Sequence, residues 1–313
     1  MTDDSLTIAA LEERGRRREA RRDFFKMMGL VTATGTAVTG ATSAQAQSTV
    51  TDADILNFAL NLEYLEAQFY YFAVFGEGLP NTLLGGTGTQ GAVRGGRKVT
   101  FSDRVVELYA REIAQDERAH VAFLRGALGT AAVAQPALDI SADPNGAFSS
   151  AARAAGLVGP GQAFDPYASD ENFLLGAFIF EDVGVTAYKG AAPLITNKTF
   201  LEAAAGILAV EAYHAGVVRT TLYRKGVETP SLRAATDAIS DARDSLDGPE
   251  DKDQGISPRD NVSNIVPLDE NGLAFSRTAG EVLNIVYLTR MAAGQGGFFP
   301  NGVNGNIRMS DPN

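Results

Sequence analysis

From Thr51 onward, Leu56, Ala59, Glu63, Glu66, Tyr70 and Ala73 fall on one stripe of a helix, an apolar rhythm with three polar side chains set into it. Thr51 with Asp54 three residues on predicts a capping box at its start. Its end is predicted near Gly76, because the stretch from Gly78 to Gly96 holds Pro80 and seven glycines. A second helix is predicted from about Ser102 to Gly126, with Val106, Tyr109, Ile113, Glu117, His120 and Leu124 on one face. Residues 129–169, rich in Ala, Gly, Pro, Ser and Asp, predict a long connection without a core element. A third helix is predicted over 170–191, entered at Ser169-Asp170 and closed before Pro193, and a fourth from Asn197 to about Lys225. The expected fold is therefore all-α: a four-helix bundle over 51–226, built as two hairpins joined by one long crossover. After Gly226 the rhythm weakens, with Pro230, Pro249, Pro258 and Pro267 breaking up polar text. Residues 227–313 are expected to form an irregular extension wrapped over the bundle, with one short helix from about Thr278 to Met291 and little to bury after Gly294.

The chain also repeats itself. Ala59-Leu60-Asn61-Leu62-Glu63 matches Ala177-Phe178-Ile179-Phe180-Glu181, and each Glu is followed seven residues later by a tyrosine, Tyr70 or Tyr188. Downstream, Glu117-x-x-His120 matches Glu211-x-x-His214, and each His is followed five residues later by an arginine, Arg125 or Arg219. The gap between the paired glutamates is 54 residues in the first half and 30 in the second, and the glycine-rich insertion at 77–100 accounts for the difference. Residues three apart on a helix project from one face and can grip one ion. Two hairpins thus offer four carboxylates, Glu63, Glu117, Glu181 and Glu211, and two imidazoles, His120 and His214. Both histidines of the chain are used, and chance would set a Glu three residues before each only roughly 0.3% of the time.

Composition narrows the chemistry. No cysteine is present, which removes disulfides, thiolate ligands and thiol catalysis. Oxygen donors with two imidazoles and no sulfur favour iron or manganese, two ions per chain, over zinc or Cu(I). Lys and Arg number 27 against 38 Asp and Glu, so a nucleic-acid backbone is excluded as a partner. Arg14, Arg16, Arg17, Arg18, Arg21 and Arg22 precede a weakly apolar stretch from Met27 to Ala41, then Ala44-Gln45-Ala46. That order predicts a removable secretory signal over 1–46 with cleavage after Ala46, leaving a soluble chain with no membrane span.

Three sets of residues carry family resemblances. Arg21-Arg22-Asp23-Phe24-Phe25-Lys26 resembles the twin-arginine export motif. The resemblance implies the twin-arginine machinery as a partner, export in the folded state after metal loading, and a periplasmic or extracellular location. The duplicated Glu and Glu-x-x-His pattern resembles the ferritin-like superfamily of di-iron and di-manganese carboxylate proteins, over roughly 51–226. Asn61-Leu62-Glu63-Tyr64-Leu65-Glu66-Ala67-Gln68-Phe69-Tyr70 is similar to the first helix of the ferritin-like domain of desiccation-related proteins, with Gly296–Gly302 a looser match. Carried over, Glu117 and Glu211 with their histidines are ligands, and Glu63 and Glu181 are terminal or bridging carboxylates. Glu66 stays open as an extra ligand, an acceptor behind the ligands, or a base for Tyr70, since the repeat sets Gly184 at its place. Tyr70 and Tyr188 are either donors to carboxylates of the opposite hairpin or aromatic filling. Arg125 and Arg219 either neutralise acids or lie on a solvated face, and Glu112 is expected to be exposed.

The resemblance implies redox chemistry with oxygen or peroxide in stress protection. Alternatives are a non-catalytic stress or desiccation protein with a structural metal site, and iron storage in a closed shell, against which the insertion and the extension argue. A homo-oligomer is compatible with each.

Overall fold

The computed structural model describes residues 50–313. The predicted signal, with Arg21, Arg22, Phe24, Phe25, Lys26 and the cleavage point after Ala46, lies outside the described residues.

Helix α1 spans Asp52–Phe75. The capping box at its start is reciprocal: Asp54 N donates to Thr51 Oγ1 at 3.2 Å, and Thr51 N donates to Asp54 Oδ2 at 2.9 Å. Gly76 ends it at φ +79, where a side chain is strained. Helix α2, Arg104–Leu128, starts at Asp103, whose carboxylate accepts from Val105 N at 2.9 Å. The two pack along each other as the first hairpin. Val106, Ile113, Glu117, His120 and Leu124 are buried as the stripe predicts, whereas Tyr109 turns outward and Ala110 takes its place. Glu112 is exposed.

Between the helices of the second hairpin and the first, the crossover departs from expectation. It carries strand β2, Leu138–Ile140, and helix α3, Ala147–Ala154, and it buries Leu138, Ile140, Phe148 and Tyr167. The insertion supplies strand β1, Val93–Gly95, which pairs in parallel with β2, Val93 opposite Leu138. Glycine is required where these backbones close in: a Cβ on Gly91 would sit 2.1 Å from Ala137 N, and Gly95 has φ +83. Phe148 stacks its edge among Phe69, Phe180 and Phe298 at centroid distances of 5.3, 5.6 and 5.1 Å. One aromatic in alanine-rich text thus makes a core element that periodicity does not reveal.

Helix α4, Asp170–Ala191, is capped by Ser169, and α5, Lys198–Glu228, by Asn197, whose Oδ1 accepts from Thr199 N at 2.9 Å. A short turn over Ala192–Leu194 joins them into the second hairpin. By length and composition α5 is long and apolar enough to cross a membrane. It nevertheless buries Glu211, His214 and Arg219 against the bundle.

The extension is more ordered than proline breakers suggest. Helix α6 runs Pro230–Asp244 with Pro230 at its first position, where a missing N–H costs nothing. Helix α7, Ala279–Tyr287, opens on a capping box between Thr278 and Glu281 and ends at Leu288 in the left-handed region, φ +57. Phe298 and Phe299 are fully buried, correcting the expectation of little to bury after Gly294. Charge locks this extension down. Arg219 bonds Asp182 at 2.8 Å and the carbonyls of Gln254, Gly255, Asn264 and Ile265; Arg243 bonds Asp182 at 2.9 Å and also Asp253; Arg277 bonds Asp247 at 2.5 Å and Asp253 at 2.7 Å. Three guanidinium groups thus face three carboxylates, so the buried charge balances.

Candidate metal centre

The six side chains singled out by the repeat meet in the middle of the bundle, all buried. The two imidazole rings lie 6.2 Å apart. His120 Nδ1 is 3.2 Å from Glu63 Oε2, 3.4 Å from Glu211 Oε1 and 3.7 Å from Glu117 Oε2. His214 Nδ1 is 3.0 Å from Glu117 Oε1 and 3.8 Å from Glu181 Oε2. Glu117 therefore turns one oxygen toward each histidine. Two overlapping donor groups result, one of Glu63, Glu117, His120 and Glu211 and one of Glu181, Glu211 and His214, each with ligand atoms within 4.8 Å of one another.

Whether these residues suit a metal is decided by what else could satisfy them. Eight of their atoms are buried without a hydrogen-bond partner: Glu63 Oε2, both oxygens of Glu117 and of Glu211, Glu181 Oε2, and Nδ1 of both histidines. Leaving a buried charged group unpaired costs more than the roughly 1–3 kcal/mol of a neutral one, so such a cluster without a cation is out of keeping with folded interiors. Bond lengths of roughly 2.1 Å set adjacent ligands of an ion about 3 Å apart, the spacing of the shortest of these pairs. The cluster fits a metal site.

Three of the remaining atoms, Glu63 Oε1, Glu181 Oε1 and His214 Nε2, are held from behind, which orients the inward ones. Tyr70 donates its hydroxyl to Glu181 Oε1, and Tyr188 donates to Glu63 Oε1, each reaching across to the opposite hairpin. Of the two alternatives for these tyrosines, the donor role is the one observed. Asp116 Oδ2 lies 3.4 Å from His214 Nε2 and favours the tautomer that leaves Nδ1 free to bind. The sequence does not flag Asp116, since Val210 stands at its repeat position. Arg125 donates to Tyr64 Oη at 2.5 Å while Arg219 is drawn into the buried network, so repeat-equivalent arginines have different partners.

Glu66 is buried on the same stripe, and its partner in the repeat is an absence. A Cβ on Gly184 would lie 2.6 Å from Glu211 Oε2 and 3.5 Å from Glu66 Oε1, so the missing side chain makes room for two carboxylates. Tyr70 faces Glu181, which removes Glu66 as its base.

Without a metal, protons stand in for cations. Burial pushes the Glu63 carboxyl up to about 8 and those of Glu66 and Glu181 well above the usual range. Burial alone would depress both imidazoles; the carboxylate of Glu63 overrides it at His120, and Asp116 and Glu117 push His214 up to about 11. Burial works to raise Glu117 too, but two flanking histidines hold it below the carboxylate range. Protons on these groups must leave before a metal enters.

The ferritin-like domain family matches residues 51–224, all four bundle helices but the last turn of α5. The chain is 32% identical over 272 residues to ferritin-like catalase Nec2 of Nesocodon mauritianus, covering 82% of this chain and 84% of the relative. It is 31% identical over 270 residues to desiccation-related protein PCC13-62 of Craterostigma plantagineum, covering 81% and 83%. No solved structure is matched significantly. With a duplicated helical hairpin, a buried carboxylate and histidine cluster and these likenesses together, the chain belongs to the ferritin-like domain family.

Proposed function

We propose that this is an exported protein that holds two iron or two manganese ions and disproportionates hydrogen peroxide in stress protection. The convergence of eight partnerless buried donors from four helices carries this reading. Glu63 and His120 would hold one ion and Glu181 and His214 the other, with Glu117 and Glu211 available to both, so that four carboxylates would offset two divalent cations. The likeness to a protein called a ferritin-like catalase favours peroxide over oxygen-driven iron oxidation. Bound ions of these metals supply reversible two-electron chemistry: one peroxide is oxidised to O2 and a second reduced to two waters, so 2 H2O2 gives 2 H2O and O2.

The chain's own residues do the rest. Tyr70 and Tyr188 keep Glu181 and Glu63 aimed inward. Asp116 keeps the proton of His214 on Nε2. Glu66 Oε1 borders the Gly184 gap, where the carboxyl group can exchange a proton with an incoming peroxide. Oxygen release from added hydrogen peroxide, read at an electrode with metal-loaded protein, tests the reading. Expected is one O2 per two peroxides consumed. Metal-replete protein that is inert to peroxide, yet melts lower after chelation, would instead establish the structural metal site, which the same partnerless donors and the likeness to a desiccation-related protein support.

A further inference from the structure

A small cavity lies beside the cluster, walled by Leu62, Leu65 and Glu66 of α1, Phe180, Val183 and Gly184 with Ile179 of α4, and by Ile285, Val286 and Phe298 of the extension. Its α1 and α4 walls are repeat mates: positions 62, 65 and 66 correspond to 180, 183 and 184. The cavity therefore takes equivalent positions from both hairpins, and at Gly184 it borders Glu211, which belongs to both donor groups. Where the repeat would place two identical side chains, one half has Glu66 and the other has Gly184, and the space a Cβ would take there abuts Glu211 Oε2 at 2.6 Å. Every wall is apolar except the Glu66 carboxyl. The volume is about 20 Å3, room for the centre of one water-sized molecule.

The third wall fixes that size. Phe298 N donates to Val286 O at 2.9 Å, Asp139 N donates to Phe298 O at 2.9 Å, and the Phe298 ring packs on Phe180 at 4.9 Å. Arg277, held by Asp247 and Asp253, ties the start of α7 to Thr186 of α4 through its backbone N–H at 3.1 Å and its guanidinium at 3.0 Å. These contacts hold the extension against the bundle as the cavity's third wall.

We infer that this cavity is the oxidant-binding pocket and sets its size limit, accepting hydrogen peroxide by one hydrogen bond to Glu66 and excluding alkyl hydroperoxides. The inference rests on the peroxide reading above. Ile285 tests it, being an apolar wall residue on α7 and none of the metal-centre donors. In the wild type, kcat/KM for hydrogen peroxide exceeds that for tert-butyl hydroperoxide at least ~100-fold; Ile285→Ala narrows the ratio ~10-fold and Ile285→Phe lowers hydrogen peroxide turnover ~10-fold, at unchanged metal content. Val286→Phe is the second filling variant should Ile285→Phe not fold. Crystals under krypton pressure give a readout apart from turnover: a krypton atom in the cavity of wild type and Ile285→Ala, none in the filled variant. An unaltered ratio in Ile285→Ala, or full hydrogen peroxide turnover in a variant whose cavity excludes krypton, overturns the pocket and leaves the peroxide reading standing. Krypton in the cavity of a protein inert to peroxide overturns the peroxide reading, and the size limit with it.

Discussion

At the scale of single residues, Glu63 and Glu181 are each split between two duties, one oxygen facing inward and the other held by a tyrosine, whereas Glu117 and Glu211 turn both oxygens inward. Tyr70 and Tyr188 perform the holding across the hairpins, so neither hairpin alone orients its own lone glutamate. Tyr70→Phe or Tyr188→Phe removes that donor and leaves a buried carboxylate oxygen unsatisfied. We expect metal affinity to fall about 10–100-fold with helix content unchanged, read by competition with a chelator and by circular dichroism. Unchanged affinity would reduce both tyrosines to aromatic filling. The six inward residues were legible in the sequence because ligation imposes spacing, and duplication shows that spacing twice. Asp116 was not, because an acid that supports only one of two histidines leaves no repeated mark.

At the scale of elements, the four bundle helices follow from caps and apolar rhythm, and their bounds differ from expectation by a turn or less. The elements that escaped are those whose burial depends on distant partners. Helix α3 is held by Phe148 among rings from α1, α4 and the extension, and α6 begins at a proline that reads equally well as a breaker. The arginine network that fastens α6 and α7 to α4 is likewise invisible in one dimension. Removing Arg277 strands buried Asp247 without its cation and takes from Asp253 one of its two guanidinium partners, so Arg277→Ala is expected to cost about 3–5 kcal/mol in denaturant unfolding. A loss under about 1 kcal/mol would mean that water replaces the guanidinium freely.

At the scale of the whole molecule, a centre built from acids makes stability depend on what neutralises them. In the metal-free protein Glu63 has its carboxyl raised from 4.5 to about 8, so its contribution is fully present below 4.5 and is lost as pH rises through 8. Glu66 and Glu181 act in the same sense, and His214, raised from 6.5 to about 11, loses its contribution at still higher pH. Glu117, held low, keeps its contribution throughout this range. The melting temperature of metal-free protein should therefore fall between pH 5 and pH 8, while metal affinity rises over the same interval as protons leave the ligands. Calorimetry showing the opposite slope would contradict the assignment. Export belongs to this scale as well: Arg21→Lys with Arg22→Lys should leave full-length precursor in the cytoplasm on immunoblots, and normal export would point to another route.

The presence of cations at the centre of the bundle is tested most directly by elemental analysis of the full chain purified from its native compartment, beside a variant with His120→Ala and His214→Ala. Two iron or two manganese ions per wild-type chain and none in the folded variant are expected. No stoichiometric metal in the wild type, or equal metal in both proteins, would contradict it.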